Sequence, residues 1–135
     1  MSEPTVHLLA CVPGLLTPHG YSYAASARGE LVFLAGQVAF DAAGNLVGRD
    51  DFTAQVRQVF ANLQLVLAAE GCSPTSVVRI TYYVVEPTRE RLLAIRAARD
   101  EVFSAHKPAA TLLGVAALSA PDMLFEVEAV ATRAP

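Results

Sequence analysis

Lysine occurs once in this chain, at Lys107, and tryptophan does not occur at all. The net charge is −3 and the arginines are scattered. No clustered basic patch is present of the kind that sequence-independent RNA or DNA binding requires, so nucleic acid is not an expected partner. Cys11 and Cys72 stand alone, without a CxxC or any framework spacing, and read as small buried hydrophobes in a reducing compartment. His7, His19 and His106 lack HxxxH or HExxH spacing, so no metal site is expected. His19 alone stands near a candidate site, in the loop before Tyr21. No stretch has both the length and the apolarity of a membrane span. The opening MSEPTVHLLA has no basic segment followed by an apolar one. A cytoplasmic location without membrane contact is expected. GQVAFDAAGNLVG contains neither GxGxxG nor GxxxxGK, and Ser22 has no GxSxG context. Phosphate cradles and serine nucleophiles are thereby set aside, and no cofactor is expected.

What is there is largely apolar. Of 135 residues, 53% are hydrophobic and only 17% charged. Such a chain fits one domain, residues 1–135, with so little polar covering that part of its surface is expected to be buried in an oligomer. Thr5 to Ala10 reads as an edge strand and the proline- and glycine-rich CVPGLLTPHG as a loop. Tyr21 to Ala24 is a short strand, Ala27 to Glu30 a turn, and Leu31 to Leu34 a strand ending at Ala35-Gly36-Gln37. A glycine there marks a bulge or a backbone left bare for close approach. Val38 to Phe40 resumes the strand, and Asp41 to Asn45 turns.

Asp50 and Asp51 are N-cap candidates. Behind them Phe52, Val56, Val59, Phe60, Leu63, Val66 and Leu67 recur at spacings of three and four, one face of a helix that Gly71 stops. Ser76 to Val85 is β-branched and aromatic throughout, the clearest strand. Its alternation directs Val78, Ile80, Tyr82 and Val84 one way and Val77, Arg79, Thr81, Tyr83 and Val85 the other. Pro87 and Thr88 open a second helix with Leu92, Ile95, Val102 and Phe103 on its buried stripe. Arg99 lies within that stripe, its stem packed and its head directed to solvent, and Pro108 ends the helix. Thr111 to Leu118 and Met123 to Thr132 are strands about a turn at Ser119 to Asp122.

Strands, helix, strand, helix, strand, strand predicts an α+β protein, a mixed sheet with both helices on one face. The other face carries Arg79, Thr81, Tyr83, Glu126 and Glu128 among aliphatics. Desolvating a carboxylate costs several kcal/mol unless it is paired, so two acids on one apolar strand need a purpose. Cover by sister chains in a closed cyclic assembly is expected for this face.

With these elements placed, the chain resembles the YjgF/RidA family, also called the L-PSP endoribonuclease family. The resemblance runs over GYSYAAS, LVFLAGQVAFDAAGNLVG, FTAQVRQVFANLQLVLAAEGCSPTSVVRITYYVV, KPAATLLGV and FEVEAVATR, roughly Tyr21 to Arg133. It implies a chorismate-mutase-like fold and a homotrimer whose sheets form a central barrel. It also implies a small-molecule cleft at each subunit interface. In its best-studied branch it implies hydrolysis of reactive enamines and imines, such as 2-aminoacrylate, to ketoacids and ammonia. The family's tyrosine matches Tyr21. Its water-activating glutamate matches Glu126, and its cleft-lining Gly-Gln pair matches Gly36-Gln37. Where the deaminase branch has a serine before that glycine, this chain has Ala35. Where that branch clamps the substrate carboxylate with an arginine in a proline-x-arginine segment, this chain reads Pro108-Ala109-Ala110. Alanine cannot replace a planar bidentate guanidinium. Thr111 and Leu112 follow on the same cleft wall and, with Leu113 and Gly114, make it more apolar than the deaminase pattern.

Three functions follow as expectations: a deaminase-type hydrolase with Glu126 handling water, a non-catalytic metabolite-binding or regulatory trimer using the same cleft, and an endoribonuclease. The last is disfavoured by the acidic balance. Glu126 either activates water or accepts hydrogen bonds that fix an assembly. Glu128 reads as an inter-subunit ion-pair partner, for Arg79 among others, and Tyr21 as a pocket residue or a packed strand tyrosine. Whether another arginine, Arg79 or Arg28 for example, reaches into the cleft in place of the missing clamp is left open by the sequence.

Overall fold

The computed structural model describes residues 5–134; the ends of the 1–135 domain reading, including the first residues of MSEPTVHLLA, lie outside them. Strands β1 (Val6–Leu9) and β2 (Ala24–Ala27) form an antiparallel hairpin. Strands β3 (Glu30–Gln37), β4 (Val77–Val85), β5 (Ala109–Val115) and β6 (Phe125–Arg133) form the main sheet in the order β3-β6-β4-β5. β4 and β5 run parallel and the remaining pairs antiparallel, so the sheet is mixed. Helices α1 (Phe52–Ala69) and α2 (Arg89–Phe103) supply Val56, Val59, Phe60, Leu63, Leu67, Ile95 and Phe103 to a core completed by alternate residues of β3, β4 and β6. Both helices therefore cover one face, the α+β arrangement expected.

The caps follow from local chemistry. Asp51 Oδ1 accepts from Ala54 N at 3.1 Å and Thr88 Oγ1 from Arg91 N at 3.2 Å, each satisfying an orphan donor of the first turn. Gly71, at φ +70°, takes the left-handed conformation that follows α1. α2 stops earlier than its proline: Ser104 at φ 51° turns the chain out of the helix, and Pro108 lies beyond.

Several boundaries depart from the sequence pattern for reasons of long-range pairing. The strand expected over Tyr21 to Ala24 begins only at Ala24 and continues through Ala27, because β1 fixes its register. Ser22 instead bridges Ala109 in parallel, with its N–H on Pro108 O at 3.2 Å and its Oγ on Lys107 O at 2.6 Å. Val38 to Phe40 is not a strand. Its carbonyls at Val38 and Phe40 are taken by the Asn62 amide of α1, at 3.0 and 2.8 Å. β5 starts at Ala109 and ends at Val115, and β6 starts at Phe125. In β4 a bulge between Val77 and Arg79 turns Val77 into the core, against strict alternation. Arg99 does not reach solvent freely: its side chain is 14% exposed and pairs with Asp100 at 3.2 Å. The Gly20 backbone lies so close over its guanidinium that any Cβ there would overlap it.

Gln55, a polar residue on the apolar stripe between Phe52 and Val59, is fully buried in α1. Its amide donates to Gly48 O and Asp122 O at 2.9 Å each, and its Oε1 accepts from Leu124 N at 2.9 Å. This side chain pins the approach to β6. Gln55→Leu removes three hydrogen bonds to half-buried backbone: Asp122 O and Leu124 N lose this partner, while Gly48 O keeps Asp51 N at 3.0 Å. It is expected to lower stability by about 1–3 kcal/mol, read as a lower urea midpoint with unchanged slope.

Candidate functional site

Glu126 lies on the open face of β6, one residue after the core residue Phe125 and paired across to Tyr83 of β4. On its other side β3 carries a bulge. Leu34 pairs with Ala129 but Gln37 pairs with Val127, so β3 spends an extra residue over Ala35–Gly36. A Cβ on Gly36 would overlap Glu126 Oε2 and lie 2.9 Å from its Cδ. The glycine is bare because the carboxylate occupies the space a side chain would take. Gln37 Nε2 donates to Ala35 O at 2.9 Å, holding the bulge in shape. Ala35, Gly36, Gln37 and Glu126 are thus gathered at one place.

Glu126 is partly buried. Desolvation first, and the charge of Glu128 second, push its carboxyl above the ordinary carboxylate range. Glu128 itself is exposed and accepts a short hydrogen bond from Tyr83 Oη.

The other expected residues gather elsewhere. Tyr21, edge-on to Tyr23 with ring centroids 5.7 Å apart, precedes the Ser22 bridge and so sits beside the start of β5. Ala110 pairs with Ile80 and packs against the core on the helix-covered side. Thr111, opposite Thr81, faces the open side, where its Oγ1 accepts from Arg79 Nη2 at 3.2 Å. Leu112, opposite Tyr82, is on the helix side but 40% exposed at the sheet edge. The strand order separates the two groups within one protomer: Ala35, Gly36, Gln37 and Glu126 on the β3–β6 side, and Tyr21, Ala110, Thr111 and Leu112 along β5.

The remaining candidates fall apart from both. His106 Nε2 is bonded to Val77 O at 2.7 Å, while His7 and His19 are exposed. Among the described residues, no group of three or more His, Cys, Asp or Glu is placed to hold a metal ion. Likewise no helix is long and apolar enough to cross a membrane. A hollow of about 730 Å³ between the two helix N-termini, lined by Arg49, Asp51, Arg91 and Asp122, contains none of the site residues. A smaller depression of about 400 Å³ lies on the open face between Phe33, Ala35, Arg79, Thr81, Glu128 and Val130. The Arg79–Thr111 contact depends on the parallel register of β4 and β5, which no local sequence signal specifies.

The family model for endoribonuclease L-PSP matches residues 15–133. The chain belongs to the endoribonuclease L-PSP family. Among relatives of this L-PSP protein, the RutC family protein YjgH of Escherichia coli is 35% identical over 132 residues, covering 97% of this chain and 96% of that protein. The RutC family protein PH0854 of Pyrococcus horikoshii is 32% identical over 113 residues, 84% of this chain and 86% of that one. Among solved structures, the Rid-family protein YyfB of Yersinia pestis superposes with a TM-score of 0.89 at 37% identity. That match covers 96% of the L-PSP protein described here and 99% of the other.

Proposed function

We propose that this L-PSP family protein hydrolyses small enamine- or imine-type metabolites in a cleft between subunits of a homotrimer, with Glu126 activating the attacking water. The observation that carries this reading is the carboxylate of Glu126, held over bare backbone at Gly36 and raised above its usual range by burial. A base tuned toward working pH is the form best suited to taking a proton from water. The separation of the site residues onto two sides of one sheet supports the assembly. A neighbouring copy that brings its β5 side to the β3 side of the first would unite Tyr21, Thr111 and Leu112 with Gly36 and Glu126. The open face also carries Leu31 and Phe33 at 57% and 74% exposure, an apolar surface that association would cover.

The test is ammonia release from 2-aminoacrylate and a panel of other imines by purified protein, with native mass measured in dilute solution. Rates above buffer and a mass of three chains are expected. A flat progress curve across the panel, or a folded lone protomer, would remove the reading. The rate should rise with pH through an inflection above the ordinary carboxylate range, since the base is the deprotonated form. Stability runs the opposite way. With the folded pKa raised, the contribution of Glu126 is full below its unfolded pKa and is lost as pH climbs through the folded one.

A second reading, a metabolite-binding trimer without turnover, is favoured by one specific feature. The deaminase arginine position is Ala110, whose side chain packs on the core. Tight ligand binding by protein that releases no ammonia would select it. The endoribonuclease reading predicts cleavage of single-stranded RNA by contaminant-free protein; intact RNA closes it.

A further inference from the structure

We infer that Tyr83 and Glu128 form a second proton-handling pair beside Glu126, which takes the hydroxyl proton when a carbinolamine collapses to carbonyl and ammonia. This goes beyond the water-activating role of Glu126 and rests on the reading that an imine is hydrolysed there. Tyr83 stands directly opposite Glu126 in the β4–β6 ladder, with Leu113 of β5 on its other side. Residues paired in this way have their Cβ atoms about 4.5–5.5 Å apart on one face. Glu128 is the next residue of β6 to point the same way, and its Oε1 accepts a short hydrogen bond from Tyr83 Oη. One phenol therefore stands beside both carboxylates.

Glu126 alone has too few free oxygens for the whole reaction. Its Oε2 lies against the bare backbone of Gly36, where a Cβ would be, which leaves Oε1 to meet water and substrate. Hydrolysis moves protons in two stages. First, water forms a C–O bond to the iminium carbon, the C=N π pair passes to nitrogen, and the water proton goes to Glu126. That proton then moves on to the nitrogen, and the C–N bond breaks with its pair leaving on ammonia. The hydroxyl O–H pair moves in to form the C=O bond. Its proton needs an acceptor at that moment, while Glu126 Oε1 is turned to nitrogen. Glu128 supplies one through Tyr83. The phenol oxygen takes the hydroxyl proton as its own passes along the existing bond to Glu128, which later releases it to solvent. Glu128 is free to do so: it is exposed, and among the described residues no ion pair neutralises it. Arg79, on the same face, gives its hydrogen bond to Thr111 Oγ1 instead. The bond to Glu128 first, and desolvation second, hold the phenol above the ordinary tyrosine range, so Tyr83 hands on one proton only as it takes another. The flanking strands offer no rival, since Ala35 of β3 and Thr111 and Leu113 of β5 carry no titratable group.

The test is steady-state hydrolysis of 2-aminoacrylate and the imine panel by full-chain wild type, Tyr83→Phe, Glu128→Gln and the double variant. Each single variant is expected to lower kcat about a hundredfold at unchanged KM, and the double variant no further, because the two groups act as one unit. Should one single variant fail to fold by circular dichroism, the other carries the test through its kcat loss at unchanged KM. Without substrate, phenolate absorbance assigned by subtracting Tyr83→Phe should show Tyr83 ionising at lower pH in Glu128→Gln than in wild type. Wild-type turnover in either single variant, losses that add in the double, a rise in KM alone, or Tyr83 ionisation indifferent to Glu128→Gln overturns the inference and leaves the role of Glu126 standing. Wild-type protein inactive on the whole panel removes the proposed reaction, and this relay with it.

Discussion

Glu126→Gln is expected to slow imine hydrolysis by about 10²–10⁴, the range that positioned general bases contribute. Glutamine keeps the shape that fills the space over Gly36 but cannot take a proton from water. The pH inflection of the residual rate should vanish with the activity. Native mass should not change, and the melting temperature should hold or rise slightly above neutral pH, because burial disfavours the charged carboxylate that the substitution removes. A variant that turns over at the wild-type rate would assign Glu126 to the assembly and leave the chemistry without a base.

Phe125→Ala is expected to cost about 3–5 kcal/mol, the largest stability effect of any single change proposed for this chain. Phe125 is fully buried and stacks on Tyr82 at 6.2 Å and 15°. It meets Phe60 at 6.0 Å and Phe52 edge-on at 5.9 Å, and so joins α1 to the middle of the sheet. Removing it opens a cavity among rings that collapse poorly. A fall in melting temperature on the order of 10 °C follows, with a urea midpoint well below that of Gln55→Leu. Because Phe125 adjoins Glu126 in β6, activity should fall before the protein unfolds. A loss under about 1 kcal/mol would mean the site refills, against the packing described here.

Much of this was legible locally. The spacing of Phe52, Val56, Val59, Phe60, Leu63 and Leu67 reports a helix and its buried face because each depends only on neighbours three and four away. The cap at Asp51 is legible for the same reason, and so is the opening of the second helix at Pro87 and Thr88, though not that Thr88 is its cap. Gly36 beside an acid-bearing strand was readable as bare backbone left for something to approach; that the visitor is Glu126 of the same chain was not. Val77 turns inward because β4 gains a residue over β6, and the β4 alternation contains no mark of that mismatch. Tyr21 leaves the hairpin because Ser22 finds the β5 edge some 85 positions away. Arg79 reaches Thr111 only through a parallel register that α2 carries between β4 and β5. Contacts of that kind are set by topology, and residue pattern is silent about them.

The bulge in β3 has a bearing on how this chain tolerates edits in length. Between Leu34 and Gln37 the strand carries one residue more than β6 opposite it. Deleting any single residue there would straighten the ladder, swing Gly36 away from the acid, and set a side chain in its path. The turn at Asp41 to Asn45 has no such ledger to keep: it closes on itself through Asp41, whose Oδ1 accepts from Ala43 N and Asn45 N at 3.0 and 2.9 Å. Spacers and tags therefore belong in that turn, and the stretch from Leu34 to Gln37 is the part of the chain whose residue number is fixed by chemistry.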